Sequence, residues 1–422
     1  MECIVSAVRR TNLLLLFPLL STGAPRGAPL PALPRSNDHP VYDGAVIIEP
    51  QSGVVQAQWT LSIPGRVIDG DSLVLLLNEN FRVTELSGRG MMSHREVADA
   101  PTHIVVRFAR VRSDPVTLDL KYSGTFHSTV DSINSIGPTW VELSLDSFWQ
   151  PIVNGMGESI TSHLRVTLPS GWRVISGGPT TKEGTADILR SAALLPDVPF
   201  VAAPNLRDSS SGTTEVAYVG APTALVGKLL TVASGCARHL DAIFGPGMPL
   251  PPLRIVLAPR AGPGYARKNY IVGSSNTDTS AVPLERFLCH ELAHFWASGA
   301  VPSGPENWLN EGMAEFLAGG SVKALSGPAA YDTVVGDWLN RSKGQGPVWT
   351  DTSTRRPNRA VAYFKSALVL DRLQSRIGEA KSDSVIARFL CADPHTTPRL
   401  LAVLGDVVDS ETAAWFRAEL AR

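Results

Sequence analysis

What most restricts the folds open to this chain is a change of hydrophobic period near Pro204. Before it, apolar residues alternate with polar ones. Val54 to Leu61, Ser72 to Leu77, His103 to Phe108, Val116 to Tyr122 and His163 to Leu168 place aliphatic and β-branched side chains at every second position, as half-buried strands require. Turn formers separate the runs, as at Ile63-Pro-Gly65 and Leu168-Pro-Ser-Gly171. After Pro204 the apolar residues recur every three to four positions over Leu225 to Phe244, Pro283 to Ala297, Trp308 to Ala318 and Ala360 to Ile377. One strong strand pattern interrupts them at Leu253 to Ala258. The expectation is an α+β chain, with a β-rich saddle or sandwich domain over 41–204 and a mainly helical domain over 205–422, and 422 residues suffice for two such cores.

Ahead of residue 41, Arg9 and Arg10 precede Leu13-Leu-Leu-Leu-Phe-Pro-Leu-Leu20 and then small residues up to Ala24. Residues 1–24 therefore read as an export signal peptide, and 25–40, with repeated prolines, as an extended linker. The apolar run is far shorter than the roughly 20 residues a membrane-spanning helix needs, so no permanent membrane anchor is expected. The expected location is the periplasm, the cell envelope or the medium. A formal net charge of −1 offers no electrostatic footprint for nucleic acid, which excludes that class of partner. Of Cys3, Cys236, Cys289 and Cys391, the first falls in the expected signal. The other three read as buried thiols; were one pair to bridge, it would be Cys236 with Cys391, because Cys289 stands beside a candidate metal ligand.

That ligand belongs to His290-Glu-Leu-Ala-His294. On a helix, residues four apart lie on one face a turn apart, and the surroundings favour a helix: Pro283 suits a first turn, and no glycine or proline follows before Gly299. Leu284, Leu288, Leu292 and Phe295 share one sector while His290 and His294 share another, so the pattern sets core on one side and ligands on the other. Two imidazoles leave a catalytic zinc ion one protein ligand short. Downstream, Trp308-Leu-Asn-Glu-Gly-Met-Ala-Glu315 is helical in pattern and offers Glu311 as the third ligand. Glu315, one turn further, is either an acceptor for the second N–H of a ligating imidazole or a solvated helix-face carboxylate.

These motifs resemble the signature of the aminopeptidase N and leukotriene hydrolase family of gluzincin zinc metallopeptidases, H-E-x-x-H followed by W-L-N-E-G. The spacer from His294 to Glu311 is two residues shorter than the family's eighteen, a deletion that the Gly- and Pro-containing stretch Ser298 to Pro305 can absorb. Ala360-Val-Ala-Tyr-Phe-Lys-Ser366 is similar to the family's Y-x-K-G segment, with Ser366 where glycine is usual. The resemblance implies a thermolysin-like catalytic domain behind a β-rich saddle, and one zinc ion held by His290, His294 and Glu311. It also implies Glu291 as general base and Tyr363 as the donor to the oxyanion, acting on a peptide or protein substrate. No part of the sequence matches the large C-terminal helical domain of many members.

One departure bears on substrate choice. Aminopeptidases of this family bind the substrate amine with the glutamate of a G-x-M-E-N loop, and the corresponding stretch here, Gly262 to Val272, contains no acid. Arg267 and Lys268 stand there instead, and if they face the cleft they disfavour an ammonium group. The expectation is a metallopeptidase that is not a simple aminopeptidase. The alternatives are an aminopeptidase with a different amine anchor and an inactive, zinc-stabilised binding protein.

Overall fold

The computed structural model describes residues 38–109, 115–127, 133–153, 158–191, 193–245, 247–274, 280–391 and 394–422. The expected signal segment and the linker up to residue 37 lie outside the described residues.

The alternating half forms a seven-stranded sheet. Its order is Thr180–Glu183, Ala186–Arg190, Thr161–Thr167, Val41–Glu49, Val54–Ile63, Val116–Thr125 and Phe81–Gly88. Neighbours are antiparallel except Val41–Glu49 with Thr161–Thr167. Along Val54–Ile63 the period of two is realised directly, with Val55, Ala57, Trp59, Leu61 and Ile63 buried. They pack on a second sheet, ordered Ile152–Val153, Ser72–Leu77, Thr102–Phe108 and Met91–Val97, whose Leu73, Leu75, Ile104 and Val106 enter the same core. Met91–Val97 escapes a reading by pattern because it is an edge strand, exposed along nearly all its length.

A third sheet, ordered Arg173–Ser176, Phe200–Ala203, Val141–Leu143 and Ser135–Ile136, joins the two halves. Phe200 and Ala202 enter the sandwich core, whereas Val201 and Ala203 pack with Ala217, Val256 and Tyr270 from the second half. Covered on both faces, this strand is apolar at every position and shows no alternation.

The second half is less purely helical than its pattern suggests. Besides Leu253–Ala258 it contains Arg207–Ser211, Thr214–Tyr218, Tyr265–Arg267 and Tyr270–Ser274, giving a five-stranded sheet with a parallel centre. The added strands have three to five residues, too short for a period to register. Eight α-helices are described: α1 Thr223–Phe244, α2 Ala281–Ala293, α3 Asn307–Ser326, α4 Pro328–Ser342, α5 Ser366–Ile377, α6 Glu379–Leu390, α7 Thr397–Val407 and α8 Ser410–Leu420. Helix α3 runs through the middle and is buried nearly all round, so that even its polar stripe of Asn307, Asn310 and Glu315 is enclosed.

One expectation about the cysteines is overturned. Cys236 on α1 is disulfide-bonded to Cys289 on α2, with Cα atoms 5.2 Å apart. Position 289 is next to His290 in sequence but turned about 100° from it around the helix, so Cys289 faces α1 rather than the ligand side. The bond spans 53 residues, for which chain entropy assigns about 4 kcal/mol. The double variant C236A/C289A is expected to lose a large part of that in denaturant titration, with a steeper transition because the unfolded chain without the crosslink exposes more surface. An unaltered midpoint would show that the crosslink does not stabilise the fold.

Candidate metal centre

Helix α2 buries Leu284, Leu288 and Leu292 and turns His290 and His294 to the opposite side. It ends at Ala293, earlier than the pattern suggests, and tightens through Phe295 N–H to Leu292 O and Trp296 N–H to Ala293 O. His294 remains right-handed helical at φ −61° and ψ −14°, so the four-residue relation to His290 survives. Each ring is oriented through its Nδ1. His294 Nδ1 donates to the Ala297 carbonyl at 3.1 Å, and His290 Nδ1 to Glu315 Oε2 at 3.0 Å. Because both partners are acceptors, each neutral imidazole carries its lone pair on Nε2.

Glu311 is brought to those nitrogens by its neighbours on α3. Trp308 is fully buried and donates through Nε1 to Thr397 Oγ1 at 2.9 Å. Asn310 clamps the loop after His294, accepting from Ala300 N at 3.0 Å and donating to Ala300 O at 2.9 Å. At Gly312 an added Cβ would lie 2.3 Å from Ser366 Cβ, so only glycine lets α3 touch the segment that carries Tyr363. That contact also accounts for how the small Ser366 is accommodated where the family has glycine.

The ligand atoms of His290, His294 and Glu311 lie within 4.8 Å of one another. Glu311 Oε2 is 3.4 Å from His294 Nε2 and 3.6 Å from His290 Nε2, is buried, and makes no hydrogen bond. Tetrahedral zinc with bonds of about 2.0–2.2 Å sets its ligand atoms roughly 3.3–3.6 Å apart, the separation that Glu311 Oε2 keeps from both imidazoles, so the carboxylate is placed to share such an ion with them. The electrostatics agree. Burial alone would lower the His290 imidazole, but its contacts with Glu311 and Glu315 outweigh that and hold it up at about 10. Burial alone would raise Glu311, yet the two imidazoles hold it well below the usual carboxylate range. This is a cavity that stabilises positive charge.

Glu315 is buried rather than solvated. Its Oε2 accepts from His290 and its Oε1 from Trp338 Nε1 at 2.7 Å and from Arg286 Nε. Arg286 in turn donates to Asp337 Oδ2 at 2.8 Å. Sequence reasoning missed Arg286, Trp338 and Asp337; only Arg286, one turn before His290, had a readable signal. Glu315→Gln is expected to weaken zinc binding about 10–100-fold in a chelator competition, because the amide holds the imidazole less firmly. Unchanged affinity would make Glu315 a packing residue only.

Tyr363 stands on a π-helical turn, Ala360–Lys365, that runs into α5. The widened turn is held by Ser366 Oγ donating to Val361 O at 2.6 Å and by Lys365 Nζ donating to Gln345 O and Gly346 O. The Tyr363 ring lies parallel to that of His290 with centroids 5.4 Å apart. Burial first, then the Glu311 carboxylate, push its hydroxyl well above the ordinary value, so it remains a donor through neutral pH.

A cavity of about 520 Å³ lies on the outer face of the seven-stranded sheet, but the larger one, about 920 Å³, opens on this centre and is lined by His290, Glu291 and Tyr363. The sequence-based expectation for its charge needs correction. Arg267 is not among its lining residues and is paired with buried Asp197 at 2.7 Å. Lys268 also lies outside the lining and donates to Ser298 Oγ at 3.0 Å. The cleft is nonetheless basic, through Arg286, Arg341, Arg356 and Arg359.

A β-rich half leading into a mixed sheet and helices, with the His-Glu-x-x-His helix laid against the Trp-Leu-Asn-Glu-Gly helix, is a fold shared with solved M1 zinc metallopeptidases. The chain is similar in fold to the M1 zinc metallopeptidase from Deinococcus radiodurans, with a TM-score of 0.70 at 19% identity over 90% of this chain and 93% of that one. A mutant of that metallopeptidase has been solved with a Tyr-Ser-Ala substrate. Native yeast LTA4 hydrolase gives a TM-score of 0.69 at 16% identity over 90% of this chain and 66% of its own. Human endoplasmic reticulum aminopeptidase 2 is 27% identical over 164 residues, 34% of this chain and 17% of that protein. The chain thus spans a small part of that relative's length. No protein-family model matches the sequence.

Proposed function

We propose that this chain is a zinc-dependent metallopeptidase, and that it is not a simple aminopeptidase. The observation carrying the reading is the convergence of His290, His294 and Glu311 beside a cleft that also exposes Glu291 and Tyr363. His290, His294 and Glu311 would hold one zinc ion, which when bound supplies a Lewis acid for the substrate carbonyl and acidifies water. Glu291 takes the proton of the attacking water and returns it to the leaving nitrogen. The Tyr363 hydroxyl donates to the carbonyl oxygen as negative charge develops on it. Substrates are peptides or exposed protein segments.

Support for the second half of the proposal comes from the cleft's acids. Among the described residues, the carboxylates lining it apart from Glu291 are Glu315 and Asp337. Glu315 is occupied by His290, Arg286 and Trp338, and Asp337 by Arg286 and Arg341. Neither is free to bind an ammonium. The relatives' names favour a second reading, an aminopeptidase with another amine anchor. Matched peptides with free and N-acetylated termini separate the two. Cleavage of the acetylated peptide at a comparable rate is expected, whereas a preference for the free amine above about tenfold, or 1.4 kcal/mol, would select the aminopeptidase. Bound zinc without cleavage of any peptide would instead leave a zinc-stabilised binding protein.

We also propose that the protein is exported. The leader-like residues 1–24 support this, as does the Cys236–Cys289 disulfide, since such bonds persist in oxidising compartments. Among the described residues no helix is long and apolar enough to cross a membrane.

A further inference from the structure

The cleft's charges do not balance, and the excess sits at one place. Arg286 is matched by Glu315 and Asp337, and Arg341 shares Asp337. Arg356 and Arg359 also line the cavity, and neither is within ion-pair distance of a carboxylate among the described residues. The guanidinium of Arg359 lies 5.3 Å from the centroid of the Tyr363 ring, which itself stacks on His290. Arg359 therefore stands beside Tyr363, and Arg356 shares the same cavity wall.

The segment that carries them is built to stay in place. Pro357 fixes one backbone angle between the two arginines and restricts the residue before it. Asn358 accepts from Val361 N at 3.0 Å through its side chain and from Ala362 N at 2.8 Å through its carbonyl, and its amide donates to Gln345 Oε1. Two exposed guanidiniums with no carboxylate partner among the described residues stand on this pinned backbone at the wall of a cavity of about 920 Å³, so a ligand would have only their side chains to order. Planar guanidinium forks match a carboxylate better than any other peptide group.

We infer that Arg356 and Arg359 form an anion subsite beside Tyr363, and that the substrates are peptides presenting a carboxylate there. The carboxylate is either the peptide's own C-terminus or the side chain of an Asp or Glu near the cleaved bond. The substrate class rests on the peptidase reading above; the subsite rests on the arrangement of charge. It places in the Arg356 to Arg359 segment the role that Arg267 and Lys268, both engaged elsewhere, do not fill.

The test uses N-acetylated pentapeptides of one sequence: the free acid, the C-terminal amide, and amides carrying a single Glu or Gln at each position in turn. Their Kd values are measured by fluorescence anisotropy on zinc-loaded Glu291→Gln protein, and kcat/KM on the zinc-loaded wild type. The acid-to-amide ratio, or the Glu-to-Gln ratio at one position, is expected to be about tenfold or more in both measurements and to shrink with added salt. In R356Q/R359Q the ratio should fall close to one, and in R356K/R359K part of it should return. A preference for the free acid identifies the C-terminus as the anion, and one for Glu identifies a side chain. No preference, a preference kept in R356Q/R359Q, or no binding of any peptide would overturn the subsite. Preferential binding without any cleavage would leave the subsite standing and refute the peptidase reading.

Discussion

Glu291→Gln is expected to lower kcat/KM for peptide hydrolysis by about 10²–10⁴-fold while zinc stays at the wild-type level. Glutamine keeps the volume and one oxygen of glutamate, so His290 and His294 on either side of it along α2 keep their places. What it cannot do is accept the proton of the attacking water, a loss worth roughly 3–5 kcal/mol of barrier at 1.36 kcal/mol per tenfold. The informative experiment pairs the rate with metal content by elemental analysis. A variant that turns over normally with full zinc would remove Glu291 from the mechanism, and one that loses zinc would show it to be part of the binding site instead.

Tyr363→Phe should lower kcat by about 10²–10³-fold with KM little altered. Phenylalanine preserves the ring that stacks on His290 and that Arg359 covers, and deletes only the hydroxyl. Because burial and Glu311 keep that hydroxyl protonated, its contribution is hydrogen-bond donation to an oxygen that is far more negative in the transition state than in the substrate. Removing it should therefore slow the chemical step rather than binding. An undiminished kcat would leave Tyr363 as packing against His290, and a rise in KM alone would make it a ground-state contact.

Much of the centre was legible before any coordinates, because its signals are local. A four-residue spacing on a helix dictates that His290 and His294 share a face whatever surrounds them, and the buried stripe of Leu284, Leu288 and Leu292 assigns the other face to the core. The need for a third ligand pointed to Glu311, which the structure brings within 4.8 Å of both histidines. Glu315 was readable only as one of two alternatives, since periodicity does not tell a buried carboxylate from a solvated one. The sandwich strands were legible where one face is buried, and lost where both faces are covered, as at Phe200–Ala203, or nearly none is, as at Met91–Val97.

What the sequence determined by itself, then, was the order of a β-rich half and a helical half, the side of α2 that carries the candidate ligands, and the lack of an acid between Asp241 and Asp278. Only the tertiary structure decided which charges are spent and which are free. It paired Arg267 with Asp197, 70 residues away, set Arg286 between Glu315 and Asp337, and left Arg356 and Arg359 facing the cleft. It also joined Cys236 to Cys289, although the second lies beside a candidate ligand. The physical reason is the same in each case. Periodicity is a property of neighbours along the chain, whereas a charge or a thiol is defined by its partner, and partners are set by how distant segments pack.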